Sequence, residues 1–272
     1  MKLLHIGLTL GATLMTSIAT PVNAIAASSV DEPNMALRMD YLHFAQRQTT
    51  SIEELLRQGM DQVRSGKFEE ALKTFDRVIA NDSTIAVAWM GRGFALSGLE
   101  RYADAVTAFR KSVELNDTLV YGWVGLGIAL NETKQPAEAL TAFDRALKLD
   151  ADNFSAWYHR GVSLTALERY GEAFTAFDRA VQIDPQDEYA WYSRGWVLGA
   201  LERYPEAVAS FDRAIAINPN NALSWYYKGL ALNLMGRNDE AIVALERALS
   251  LQPNLAQARD LLNEIRGVAV VP

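Results

Sequence analysis

The sequence predicts an all-α fold, a stack of helical hairpins, on three observations: a strict 34-residue period, apolar columns with helical spacing inside each period, and a glycine at one fixed place in every unit. The period is plainest where "SAWYHRGVSLTALERYGEAFTAFDRAVQIDP" (Ser155–Pro185) is followed by "YAWYSRGWVLGALERYPEAVASFDRAIAINP" (Tyr189–Pro219). Trp89, Trp123, Trp157, Trp191 and Trp225 share a column, then Gly93, Gly127, Gly161, Gly195 and Gly229, then Leu96, Leu130, Leu164, Leu198 and Leu232. Later columns hold Ala105, Ala139, Ala173, Ala207 and Ala241, and Phe109, Phe143, Phe177, Phe211 and Leu245. Leu55, Gly59, Ala71 and Phe75 extend the pattern upstream, so six units run 52–85, 86–119, 120–153, 154–187, 188–221 and 222–255.

Each unit reads as two helices. At about 100° per residue, the Trp, Gly and Leu at unit positions 4, 8 and 11 share one face of a first helix; the residues at positions 20, 24 and 27 share one face of a second. Glycine inside a helix costs roughly 1 kcal/mol against alanine, so its recurrence at position 8 implies a helix contact too close for a Cβ. The recurring "LERY" (Leu99–Tyr102, Leu167–Tyr170, Leu201–Tyr204) marks the turn between the helices. A lone hairpin cannot bury both its sides, so neighbours must stack. After Pro253, residues 256–267 read as one more first-type helix, a cap with Arg259, Asp260, Glu264 and Arg266 for an outer polar face, followed by a tail over 268–272.

This register strongly resembles the tetratricopeptide repeat (TPR), whose period is 34 residues with Trp, Gly, Leu, Ala, Phe and a late Pro (here Pro185, Pro219 and Pro253). The departures are Leu55 for the first Trp, Pro136 for the usual turn aromatic, and Ser83, Asp117 and Ala151 for the late Pro. The resemblance implies a right-handed α-solenoid of six helix pairs plus a C-terminal capping helix. It also implies that positions 2, 5, 9 and 12 of the first helices, which cluster roughly 120° around from the Trp/Gly/Leu face, line a concave groove for a protein or peptide.

Those positions carry Val87, Met90 and Phe94; Tyr121, Val124 and Ile128; Tyr158 and Val162; Tyr189, Tyr192 and Trp196; Leu223, Tyr226 and Leu230. His159 and Tyr227 stand beside them at position 6. The central units lack the Lys, Arg and Asn with which TPR domains clamp a C-terminal carboxylate, and they lack asparagine ladders. Tyrosine and tryptophan instead suit an apolar or amphipathic peptide, with hydroxyls left to bond its backbone. The sequence therefore points to a non-catalytic scaffold that takes such a segment of a partner protein, in assembly of an envelope or membrane complex. The competing reading is a self-associating solenoid whose groove takes its own N-terminal segment or a second copy.

Half of the residues are hydrophobic, which is enough to fill a core, and a net charge of −7 without a Lys or Arg run argues against nucleic acid as a partner. Residues 1–26 resemble a secretory signal peptide: Lys2, an apolar run from Leu3 to Met15, and small-residue sites ending at Ala24 and Ala26. Cleavage there leaves Ile25 or Ala27 first, and an exported, periplasmic protein; the thylakoid lumen and an uncleaved membrane anchor are the alternatives. The chain has no cysteine, hence no disulfide and no lipoprotein acylation site. Residues 27–51 read as a linker with a short amphipathic helix, placed either as a cap on the first unit or in the groove.

Three histidines without ligand spacing and no Gly-rich phosphate loop give no metal, cofactor or catalytic expectation. The carboxylates recur instead by column. Position 25 carries Asp76, Arg110, Asp144, Asp178, Asp212 and Glu246, and position 7 of the next unit carries Arg92, Leu126, Arg160, Arg194, Lys228 and Leu262. Where the first is Arg110, the second loses its base. Salt bridges between successive units are therefore expected at Asp76–Arg92, Asp144–Arg160, Asp178–Arg194 and Asp212–Lys228.

Overall fold

The computed structural model describes residues 51–267; the leader expected over 1–26, all but the last residue of the 27–51 segment, and the 268–272 tail lie outside the described residues. Among the described residues there are only helices and turns. They are α1 (51–64), α2 (Phe68–Asn81), α3 (Ala86–Gly98), α4 (Tyr102–Leu115), α5 (Val120–Glu132), α6 (Pro136–Leu149), α7 (Phe154–Ala166), α8 (Tyr170–Ile183), α9 (Glu188–Ala200), α10 (Tyr204–Ile217), α11 (Ala222–Leu234), α12 (Asn238–Leu251) and α13 (Ala256–Arg266). This is the all-α repeat-solenoid class. The chain forms two compact units, one ending at Lys134 and one beginning at Gln135, so α1–α5 belong to the first and α6–α13 to the second.

Within each unit the packing is nearest-neighbour. In the second, α7 packs on α8, α9 on α10 and α11 on α12 as hairpins, and each hairpin is joined to the next through α8–α9, α10–α11 and α12–α13. The side chains at the joints are the period's own columns. Phe75, Phe109, Phe143, Phe177, Phe211 and Leu245 are fully buried, as are Leu96, Leu164, Leu198 and Leu232. The position-8 glycines are where those rings come to rest: a Cβ built on Gly161 would stand 2.7 Å from the Phe177 ring, and one on Gly195 2.8 Å from Phe211. The close contact read from the sequence is thus between a helix backbone and an aromatic face.

The LERY turn has a defined mechanism. Leu167 and Leu201 end their helices, and the next residue, Glu168 or Glu202, takes a left-handed backbone, as do Glu100 and Lys134. Gly66 and Gly236 hold the same column and adopt that conformation without the steric cost a side chain brings. The arginine that follows pairs with the acid in the first turn of the second helix: Arg169 with Glu172, Arg203 with Glu206 and Arg237 with Glu240, each through two hydrogen bonds of 2.6–2.7 Å. Those arginines hold the three carboxyls below the usual carboxylate range.

All four expected inter-unit salt bridges form: Asp76–Arg92 at 2.8 Å, Asp144–Arg160 at 2.9 Å, Asp178–Arg194 at 2.8 Å and Asp212–Lys228 at 2.6 Å. Each base also lies against the Trp one turn earlier on its own helix, 5.4–5.8 Å from the ring centre. The Trp column has a second role. Each indole N–H donates to a carbonyl six residues back, on Ser83, Asp117, Ala151, Pro185 or Pro219, at 2.8–3.0 Å, and so ties down the loop between units. In α13, Arg259 replaces Trp and donates to the Pro253 carbonyl in the same way. Because the Asp144 side chain is half exposed, the Asp144–Arg160 pair should couple by no more than about 1 kcal/mol. A double-mutant cycle on Asp144→Ala and Arg160→Ala measures this; strictly additive effects would mean that the bridge contributes nothing.

Candidate functional site

The face made by positions 2, 5, 9 and 12 differs between the two units. In the first, these residues are largely core. Val87, Met90 and Val124 are buried, and Phe94 is only 3% exposed, its ring edge-on to Phe109 with centroids 5.0 Å apart. Phe94 is therefore corrected from a groove residue to a packing one. Position 6 matters here: Gly91 and Gly125 face the Phe75 and Phe109 rings directly (built Cβ distances 2.2 and 2.5 Å), so that α3 seats closely on α2 and α5 on α4. Tyr121 and Ile128 are half-buried.

In the second unit position 6 is occupied. His159 stacks on Phe143 and Tyr227 on Phe211, with centroids 6.2 and 6.1 Å apart. The side chains around them stay partly open: Tyr158, Val162, Tyr192, Trp196, Tyr226 and Leu230 are half-buried, while Tyr189 is 56% and Leu223 42% exposed. Their apolar bodies rest on the core. Tyr158 meets Phe177 edge-on at 5.7 Å, Tyr192 lies 6.1 Å from Phe211 and 5.8 Å from Tyr227, Tyr226 is 4.8 Å from Tyr227, and Trp196 meets Tyr170 at 6.0 Å.

The hydroxyls on this face lie close to one another. The Ser193 hydroxyl lies near enough to Tyr158, and the Tyr227 phenol near enough to Tyr192, for each to act on its neighbour. Burial pushes the Tyr158, Tyr192 and Tyr226 phenols above the usual tyrosine range, and the neighbouring Tyr227 adds to the shift at Tyr192 and Tyr226. All three thus remain hydroxyl donors well beyond neutral pH. Chemically the surface offers flat apolar rings with hydroxyls at their ends, which suits a peptide that presents side chains and backbone together. Three participants escaped the sequence reading. Ser193 occupies the same column as His159 and Tyr227, which was its available signal; Phe154, stacked on Tyr158 at 6.0 Å, and Tyr170 belong to columns outside the chosen face.

Elsewhere, α1 and α2 border a cleft of about 740 Å³ lined by charged and polar side chains such as Glu54, Arg57, Asp61 and Arg77. It holds no aromatic residue. Among the described residues, no three His, Cys, Asp or Glu side chains gather where they could hold a metal, and no helix is long and apolar enough to cross a membrane.

Comparison with known proteins gives a consistent picture. A tetratricopeptide repeat family model matches residues 56–119, 124–188 and 192–256. Among solved structures, the chain is similar to YrrB, described as a TPR protein with an unusual peptide-binding site, at 23% identity over 69% of this chain and 96% of that one, with a TM-score of 0.62. It is similar to MamA at 20% identity over 70% and 100% of the two chains, TM-score 0.59, and to pilF of Pseudomonas aeruginosa at 15% over 79% and 98%, TM-score 0.70. At such identities the likeness is one of fold. No curated protein sequence matches the chain.

Proposed function

The chain belongs to the tetratricopeptide repeat family, and on that premise we propose that it is a scaffold that binds an apolar or amphipathic peptide segment of a partner protein on the aromatic face of its second unit. TPR domains are suited to protein–protein interaction. The observation that carries the finer reading is the contrast between the units: these columns are buried at Val87, Met90 and Phe94 of α3 and at Val124 of α5, but leave Tyr189 and Leu223 exposed beside a cluster of half-buried tyrosines in α7, α9 and α11. Large aromatic side chains that are only partly covered are the usual anchors of a protein interface.

The variant that tests this must spare the core. Tyr158 and Tyr192 rest on Phe177 and Phe211, so truncating them would mix binding with stability. Replacing Tyr189, Leu223 and Tyr226 together by Ala removes more exposed surface. In selection from a displayed random-peptide library, the wild-type chain should enrich apolar or amphipathic sequences, and the triple variant, with helical circular dichroism unchanged, should lose them. No enrichment on the wild type, or enrichment indifferent to the triple variant, would remove the support for this face.

A further inference from the structure

Charge is segregated on the first-type helices of the second unit. Every Lys or Arg of α7, α9, α11 and α13 stands at position 4, 7 or 11 and is already engaged: Arg160 with Asp144, Arg194 with Asp178, Lys228 with Asp212, Arg266 with Glu246, and Arg259 with the Pro253 carbonyl. Positions 2, 5, 9 and 12 of these helices carry no Lys or Arg at all. His159, stacked on Phe143, is the one basic group beside them.

What borders the rings is negative. At one edge the Asp187 carboxylate lies near enough to Tyr158 to act on its phenol, and Glu188 precedes the exposed Tyr189. At the other edge α13 places Asp260 and Glu264 at positions 5 and 9, the columns that Tyr226 and Leu230 hold on α11. Tyr226 packs against the apolar cluster that α13 shares with α12, which brings the two columns side by side. Asp260 and Glu264 are exposed and make no ion pair among the described residues. An aromatic surface with carboxylates at its rim attracts cations through the rings' negative faces and through Coulomb steering, and it repels acidic segments.

We propose that the occupant of this face is a cationic amphipathic peptide, with apolar side chains against Trp196 and Leu230 and Lys or Arg side chains drawn to the Glu188 edge and the Asp260–Glu264 edge. The assignment rests on the peptide-binding reading above and names the chemistry of its ligand. The four basic side chains that could repel such a peptide at position 7 or 11 are held by their acids on another side of the helices, so the repeat-wide salt bridges also keep the face free of positive charge.

The test uses the full chain and two labelled helical peptides with the same leucine spacing, one with lysine and the other with glutamate at every polar position, read by fluorescence anisotropy. The lysine peptide should bind at least about tenfold more tightly than the glutamate peptide, and less tightly as salt rises. The double reversal Asp260→Lys with Glu264→Lys should weaken it about tenfold. The control reversal Glu202→Lys with Asp239→Lys, equal in net charge but off this face, should leave it unchanged. If the glutamate peptide binds as well as the lysine peptide, the cationic assignment fails while peptide binding stands. If neither binds, both readings fail. If the two reversals weaken binding equally, the attraction is to net charge and the site is wrong. If light scattering shows a dimer that the Asp260/Glu264 reversal dissolves, the occupant is a second copy and the inference is overturned.

Discussion

Replacing Phe211 by alanine is expected to remove about 3–5 kcal/mol of stability. That is a large share of what a domain ordinarily has. The ring is buried, Gly195 touches it from α9, and Tyr192 and Tyr227 rest on it at 6.1 Å. Truncation therefore leaves a cavity that the neighbouring helices cannot close without moving the two tyrosines, so the peptide binding proposed for the aromatic face should be lost along with stability. Urea denaturation followed by circular dichroism measures the first effect. Val243→Ala, at a side chain 64% exposed, should stay within about 0.5 kcal/mol of wild type; similar losses in the two variants would show that Phe211 is not the keystone of this stretch.

Two glycines on α9 should respond with opposite sign. Gly195→Val forces atoms into a place where even a Cβ stands 2.8 Å from the Phe211 ring, and that ring is itself buried with Tyr192 and Tyr227 packed around it. A loss of about 1–3 kcal/mol is expected, as for other overpacked cores. At Gly199, four residues on, an added Cβ meets nothing within 4 Å. There Gly199→Ala should gain about 0.5 kcal/mol, because alanine loses less chain entropy on entering a helix. The same denaturation series reads both. A neutral Gly195→Val would mean that the period's glycine is not a packing requirement.

Much of this architecture was legible because repetition turns one sequence into six independent observations of the same site. The Asp–Arg ladder illustrates it: position 25 and the following position 7 change together at Arg110 and Leu126, and such paired change needs no structure to be seen. The ladder's last rung was missed. Glu246 pairs with Arg266, one helical turn beyond the Leu262 that holds the expected column. The left-handed turn residue was half visible, since Gly66 and Gly236 share a column with Glu100, Lys134, Glu168 and Glu202. The tryptophan's partner was not, because it is a backbone carbonyl and leaves no mark on side-chain identity. Phe94 was assigned to the groove for a related reason. Periodicity gives the direction of a side chain, whereas burial of Phe94 depends on how closely Gly91 and Gly125 let the helices approach, and that distance is a tertiary quantity.

The indole bonds have a spectroscopic corollary. Five of the six tryptophans are chemical copies, each with its N–H tied to a loop carbonyl, and Trp89, Trp157, Trp191 and Trp225 have a cation against the ring. Their emission is therefore expected to report on the joints between units. Trp196 alone stands outside that column, on the aromatic face beside Tyr170. The difference in emission between wild type and Trp196→Phe therefore isolates a single intrinsic fluorophore on the aromatic face, and the peptide binding proposed there should shift it without any added label.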